Sequence, residues 1–124
     1  MKGHIAFCPH FHQPHFQLYR TREEAFQNSY KPWLQMLAQA VQLDSFYINL
    51  HFSGPFLYWL SDTKPEFIDY FNTLLTSGKI GLLGGLADEP FIQLSSRNDD
   101  VLYQMKKYDE LLSRVTGVTA GEWQ

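Results

Sequence analysis

Two histidines, His10 and His12, are separated by one residue and followed at once by Gln13 and Pro14. The apolar run directly before them, residues 5–8, predicts a short buried strand. Because side chains alternate between the two faces of a strand, His10 and His12 are expected to point to the same side. Two imidazoles facing one pocket need polar partners, so this pair is the first candidate for chemistry.

Polar groups also follow three later apolar runs in the chain. They include His51, the neighbouring carboxylates Asp88 and Glu89, and Glu122 near the end of the sequence. In parallel sheets, ligands bind at the carboxyl ends of the strands. Together with His10 and His12, these groups occupy four predicted strand ends. They therefore predict one shared pocket at one edge of a sheet.

The elements that must position these groups are expected to alternate between strand and helix. Strands are predicted over residues 5–8, 46–50 and 80–83, with a fourth after Gly117, and residues 16–28 are interpreted as a loop. Predicted helices begin near Pro32, at a capping box formed by Thr63 and Glu66, and near Asn98. This order predicts an α/β fold with a parallel sheet joined by right-handed crossovers.

Composition excludes several classes of function. The chain has 124 residues, the length of one domain, and a formal net charge of -3 without any long basic run, so we expect no nucleic-acid partner. The apolar run near the start stops at Pro9, too short for a signal peptide or a membrane span, which predicts a cytoplasmic protein without membrane contact. Cys8 is a single cysteine, expected to be a buried apolar residue.

The order of the motifs resembles glycoside hydrolase family 57, the group of amylopullulanases and 4-α-glucanotransferases. The resemblance spans nearly the whole chain and rests on three segments: His10-Phe11-His12-Gln13-Pro14, Glu24-Ala25-Phe26 with Ser29-Tyr30-Lys31-Pro32, and His51-Phe52-Ser53-Gly54-Pro55. It implies that residues 1–124 form the amino-terminal portion of a (β/α)7 barrel, with its first four parallel strands and the helices between them. It also implies a retaining enzyme that acts on α-glucans or maltooligosaccharides and needs no cofactor.

The resemblance further implies roles for single residues. Glu122 would be the catalytic nucleophile, and the residues in contact with the sugar would be His10, His12, Gln13, His51 and Glu89. A retaining glycosidase needs a second carboxyl group about 5 Å from the first, and the family takes that group from a later strand. We therefore expect the isolated chain to be inactive, with open sheet edges through which it could self-associate.

Two positions depart from the family's pattern. Between Gly85 and Glu89 the sequence carries one residue more than the family motif. At the fourth strand, an alignment anchored on Gly117-Val118 makes Glu122 the nucleophile, whereas one anchored on Trp123-Gln124 leaves that position without a carboxylate.

Two other functions fit the same residues. Because imidazole is a zinc ligand, His10 and His12 with Glu89 or His51 could form the three-ligand site of a metal-dependent hydrolase. A non-catalytic carbohydrate-binding remnant would keep the fold without the chemistry.

Overall fold

The computed structural model describes residues 7–94 and 97–118, in which three strands form one parallel sheet. The strands are β1 (His10–Phe11), β2 (Ile48–Phe52) and β3 (Ile80–Leu82), and they lie in that order. In the register, His10 is opposite His51 and Leu50 is opposite Leu82. The predicted parallel α/β arrangement is confirmed for this part of the chain. The predicted fourth strand lies outside the described residues.

Helices connect the strands and cover the sheet. They are α1 (Tyr19–Ala25), a π-helical turn (Phe26–Tyr30), α2 (Lys31–Ala40), α3 (Gly54–Thr63), α4 (Pro65–Leu75), a 3-10 turn (Ile92–Leu94) and α5 (Asn98–Thr116). As predicted, α5 ends at Gly117, which has a left-handed φ of 72°. Within the described ranges, the helices include none that is both long and apolar enough to cross a bilayer.

The first strand lies later in the chain than expected. Residues 7–9 are not in a strand, so β1 contains His10 itself instead of ending before it. The prediction of a buried Cys8 is wrong, because Cys8 is exposed. The apolar run over residues 5–8 predicts the interior of a strand, but Phe7 and Cys8, the described part of the run, precede the sheet.

The prediction of a loop over residues 16–28 is wrong for most of that range. From Tyr19 the chain is helical and continues through the π-helical turn into α2. The helix α1 buries none of its residues, so it has no apolar stripe that a sequence pattern could reveal. Polar contacts hold it instead, since Arg22 Nη2 donates to the carbonyl oxygen of Pro14 at 2.7 Å and Lys64 Nζ lies 2.9 Å from Glu23 Oε2.

The helix α3 is not predicted from the sequence, and it begins at Gly54 and Pro55, two residues after the end of β2. Both residues are buried in its first turn, and most of the helix is buried on every side, so the polar face that marks an amphipathic helix is missing. The predicted capping box is also wrong. Thr63 ends α3, where its hydroxyl donates to the carbonyl oxygen of Trp59 at 2.7 Å, and Lys64 precedes α4 without a side-chain cap.

The apolar core lies between the sheet and its helices, and it reaches up to the carboxyl ends of the strands. Tyr108 of α5 is fully buried there. Its hydroxyl donates to the carbonyl oxygen of Phe52, the last residue of β2, at 2.7 Å. This bond ties α5 to the edge of the sheet at which the predicted polar residues are found.

Candidate active site

Three imidazoles and one carboxylate meet at the carboxyl edge of the sheet. We name His10, His12, His51 and Glu89 the imidazole–carboxylate cluster. Oε2 of Glu89 lies 2.6 Å from Nδ1 of His12, and its Oε1 lies 3.5 Å from Nε2 of His10 and 3.8 Å from Nδ1 of His51. His10 and His12 therefore do point to one side, as the strand pattern predicts. Their side chains are 47% and 46% exposed, so a ligand can reach them from solvent.

Glu89 reaches the imidazoles from an unusual backbone conformation. Its φ of 48° places it in the left-handed region, where among the described residues other than glycine it stands alone. This conformation costs roughly 1–2 kcal/mol for a residue with a side chain. The loop geometry turns the Glu89 carboxylate toward β1.

His51 is the most enclosed imidazole of the cluster. Its ring stacks on His10, with centroids 4.7 Å apart, and on Tyr108, with centroids 5.5 Å apart. Burial, followed by the neighbouring imidazole of His10, lowers the pKa of His51 below 6.5. His51 is thus neutral near pH 7. Its Nδ1 lies 2.6 Å from Nδ1 of His10, so one of these two nitrogens donates a hydrogen bond to the other.

Gln13, the residue after His12, is buried. It is only 7% exposed, its backbone N–H donates to Ser53 Oγ at 3.2 Å, and its Nε2 donates to the Tyr30 hydroxyl at 2.8 Å. The Tyr30 hydroxyl in turn donates to the carbonyl oxygen of His12 at 2.9 Å. In this arrangement Gln13 supports the loop that presents His12, and its contact with a sugar stays a prediction. Tyr30 and Ser53 stand in recognisable motifs, but their supporting role was not predicted.

A second polar group fixes the loop beside Glu89. We name it the Asp88 tether: the carboxylate of Asp88 accepts from Gln104 Nε2 and Lys107 Nζ, both at 2.9 Å, and its other oxygen lies 2.9 Å from His15 Nε2. Burial alone would raise the pKa of Asp88, but the bonds from Gln104, His15 and Lys107 lower it to about 2. The tether joins the loops after β1 and β3 to α5. Its α5 partners, 16 and 19 positions away, give no local signal in the sequence.

The cluster can bind a polar ligand through both donors and acceptors. The carboxylate accepts hydroxyl protons, and each imidazole donates or accepts according to its tautomer. The predicted nucleophile Glu122 lies outside the described residues. The ligand atoms of His10, His12 and Glu89 lie within 4.8 Å of one another, which is also compatible with a metal ion.

Comparisons with known proteins match nearly the whole chain. The model of glycosyl hydrolase family 57 matches residues 6–123. The chain is 27% identical over 119 residues to a 4-alpha-glucanotransferase of Thermococcus litoralis and 28% identical over 122 residues to an alpha-amylase of Pyrococcus furiosus. These alignments cover 96% and 98% of the chain but 18% of either relative.

A solved structure shows the same fold. The crystal structure of the 4-alpha-glucanotransferase from Thermococcus litoralis superposes with a TM-score of 0.82 at 29% sequence identity. The match covers 93% of this chain and 17% of the solved chain. The alternation of parallel strands and helices described above is therefore that of a small part of this larger enzyme.

Proposed function

The chain belongs to glycosyl hydrolase family 57, and from this membership we propose that it is the amino-terminal part of an enzyme that acts on α-glucans. The relatives named above are a glucanotransferase and an amylase, which support this class of substrate. The chain spans about 18% of either relative, so its structure supports a role in binding the sugar more directly than it supports the complete reaction.

The observation that carries the proposal is the convergence of the imidazole–carboxylate cluster. Its members come from β1, the residue after it, β2 and the loop after β3, so the fold places them together. Glu89 is 23% exposed, enough for an oxygen to accept a bond from a sugar hydroxyl. Neutral His51 and its partner His10 offer further polar nitrogens beside it. Closely spaced donors and acceptors that are partly shielded from water suit the several hydroxyls of one glucose ring.

We propose a retaining mechanism in which Glu122 attacks the anomeric carbon. This assignment follows the alignment anchored on Gly117-Val118, and the alternative anchored on Trp123-Gln124 would remove it. Hydrogen bonds from imidazoles to an attacking carboxylate would keep that group ionised. Bonds to the sugar hydroxyls that strengthen in the transition state would add to the rate. In this mechanism Glu89 binds the sugar and does not attack it.

We propose that the polypeptide of 124 residues binds saccharide but does not cleave it. Cleavage by a retaining enzyme needs a nucleophile and an acid about 5 Å apart. Among the described residues, Asp88 precedes Glu89 directly, but both of its carboxylate oxygens are engaged in the tether, so it is poorly suited to give a proton to a leaving group. Release of reducing sugar from an α-glucan by this polypeptide would contradict the proposal.

Calorimetric titration with maltohexaose tests the binding step. We expect saturable binding that His12→Ala abolishes, because this imidazole contacts Glu89 directly. Glu89→Gln is the second test variant and should also weaken binding. Its matched control is Glu110→Gln, which should leave binding unchanged because Glu110 is exposed on α5. Binding that is the same in wild type, His12→Ala and Glu89→Gln would overturn the proposed site.

The role of Glu122 separates an enzyme from a carbohydrate-binding remnant. If Glu122 faces the reacting carbon, Glu122→Gln changes the affinity for maltohexaose and removes activity from the complete enzyme. A remnant instead binds maltohexaose equally well with Glu122→Gln and loses binding only with His12→Ala.

A further inference from the structure

We propose that the imidazole–carboxylate cluster also binds one divalent transition-metal ion of the zinc type when no saccharide is present. The ligands are one ring nitrogen each of His10 and His12 and one carboxylate oxygen of Glu89, which all lie within 4.8 Å of one another. The nitrogens that face the Glu89 carboxylate are Nε2 of His10 and Nδ1 of His12. The ion is an inhibitory ligand in this proposal and takes no part in glycoside chemistry.

The spacing of the ligand atoms fits a tetrahedral ion. With zinc bonds of about 2.0–2.1 Å, two ligand atoms of a tetrahedral site are separated by roughly 3.3 Å. Nε2 of His10 and Oε1 of Glu89 are 3.5 Å apart and need almost no movement. Nδ1 of His12 lies closer to Oε2 of Glu89, at 2.6 Å, and the half-exposed imidazole has room to turn outward as the ion enters.

The contact between two imidazoles prepares His10 as a ligand. Metal-binding histidines usually donate the N–H of the other ring nitrogen to a fixed acceptor, which sets the tautomer. Here Nδ1 of His10 lies 2.6 Å from Nδ1 of His51. When the Nδ1–H of His10 is the donor in this contact, Nδ1 of His51 accepts the hydrogen bond. His10 Nε2 is then left with a free lone pair on the side of Glu89.

The kinds of ligand atom select the class of ion. Two imidazole nitrogens and one carboxylate suit zinc, cobalt and nickel, whereas magnesium and calcium prefer sites made of oxygen. The exposed side of the cluster leaves the fourth position to water. The ion would use the same lone pairs that bind sugar hydroxyls, so ion and saccharide should compete. This competition, unlike metal binding itself, rests on the proposed function.

Calorimetric titration of the metal-free chain with Zn²⁺ tests the inference, and the visible spectrum of Co²⁺ reports the coordination. We expect one ion per chain, a tetrahedral cobalt spectrum and no binding of Mg²⁺. His12→Ala and Glu89→Gln should each weaken zinc binding by about tenfold or more, while Glu110→Gln leaves it unchanged.

Absence of zinc binding, or equal affinity in wild type, His12→Ala and Glu89→Gln, would overturn the inference. Thermal melts of both variants establish that they are folded. A chain that binds zinc but not maltohexaose would retain the metal site and refute the sugar site. A chain that binds maltohexaose at the cluster but not zinc would retain the sugar site and refute the metal site.

Discussion

Nδ1 of His12 lies 2.6 Å from Oε2 of Glu89, although the two residues are 77 positions apart in the chain. The contact joins the end of β1 to the loop after β3, across the intervening strand β2. It therefore depends on the loop conformations at two strand ends as well as on the sheet itself. The residues that hold these loops should influence the site without touching a ligand.

Asp88 should make the stability of the chain depend on pH in the acid range. Its pKa is lowered from 3.8 to about 2 in the folded chain. As the pH falls below about 4, the unfolded chain takes up a proton that the folded chain does not, so this contribution is lost between about pH 4 and pH 2. Urea unfolding curves at pH 7 and pH 3 should show the loss in wild type and a smaller loss in Asp88→Asn.

Asp44→Asn is the matched control for this experiment, because Asp44 is exposed in the turn after α2. It should leave the pH dependence of the wild type unchanged. An Asp88→Asn variant with the same pH dependence as the wild type would contradict the tether.

His51 should titrate below the ordinary range of histidine. Burial first, and then the imidazole of His10, lower its pKa below 6.5. Below that pH the unfolded chain binds a proton that folded His51 resists, so the stability contributed by neutral His51 falls as the solution becomes more acidic. A proton NMR titration of the imidazole resonances checks the direction. A midpoint for His51 above 6.5 would contradict the enclosed, neutral ring.

Gly85→Ala should displace His51. A Cβ at position 85 would lie 2.4 Å from Nε2 of His51, and the ring has little room to move because it is stacked between His10 and Tyr108. We expect a loss of stability of about 1–3 kcal/mol and weaker saccharide binding. Thermal denaturation and maltohexaose titration measure the two effects. A variant with wild-type binding and unchanged imidazole resonances would show that the close approach is not required.

Tyr108→Phe should destabilise the fold by about 1–3 kcal/mol, because it removes the hydroxyl that donates to the buried carbonyl oxygen of Phe52. Tyr103→Phe is the matched control on the same helix, since Tyr103 is 64% exposed. It should change the free energy of unfolding by less than about 0.5 kcal/mol. Equal effects of the two substitutions in urea unfolding would argue against the role of this hydrogen bond.

The elements that sequence reasoning predicted well are those with a periodic apolar face or a clear stop. The helix α5 has both, with Leu111 and Leu112 buried and Gly117 at its end. The helices it missed lack such a face: α1 buries none of its residues and α3 is buried almost all round. In both cases tertiary contacts, not a local pattern, decide the conformation.

The site was predicted in part for the same reason. The spacing of His10 and His12 on one strand is a local property, so their shared direction was predictable. The partnership with Glu89 depends on its left-handed backbone, and the tether depends on side chains of α5. The supporting hydrogen bonds of Tyr30 likewise join distant parts of the chain. The strand ends predict that Glu89 shares a pocket with the imidazoles, but the sequence contains no signal for its left-handed backbone, for the tether or for the hydrogen bonds of Tyr30.

The central claim is that the imidazole–carboxylate cluster holds a saccharide ring. Titration of the histidine-labelled chain with maltotriose, followed by NMR of the imidazole resonances, tests it most directly. We predict saturable shifts of the His10 and His12 resonances that disappear in Glu89→Gln and persist in Glu110→Gln. Imidazole resonances that stay unchanged up to saturating maltotriose, or that shift equally in Glu89→Gln, would contradict the account.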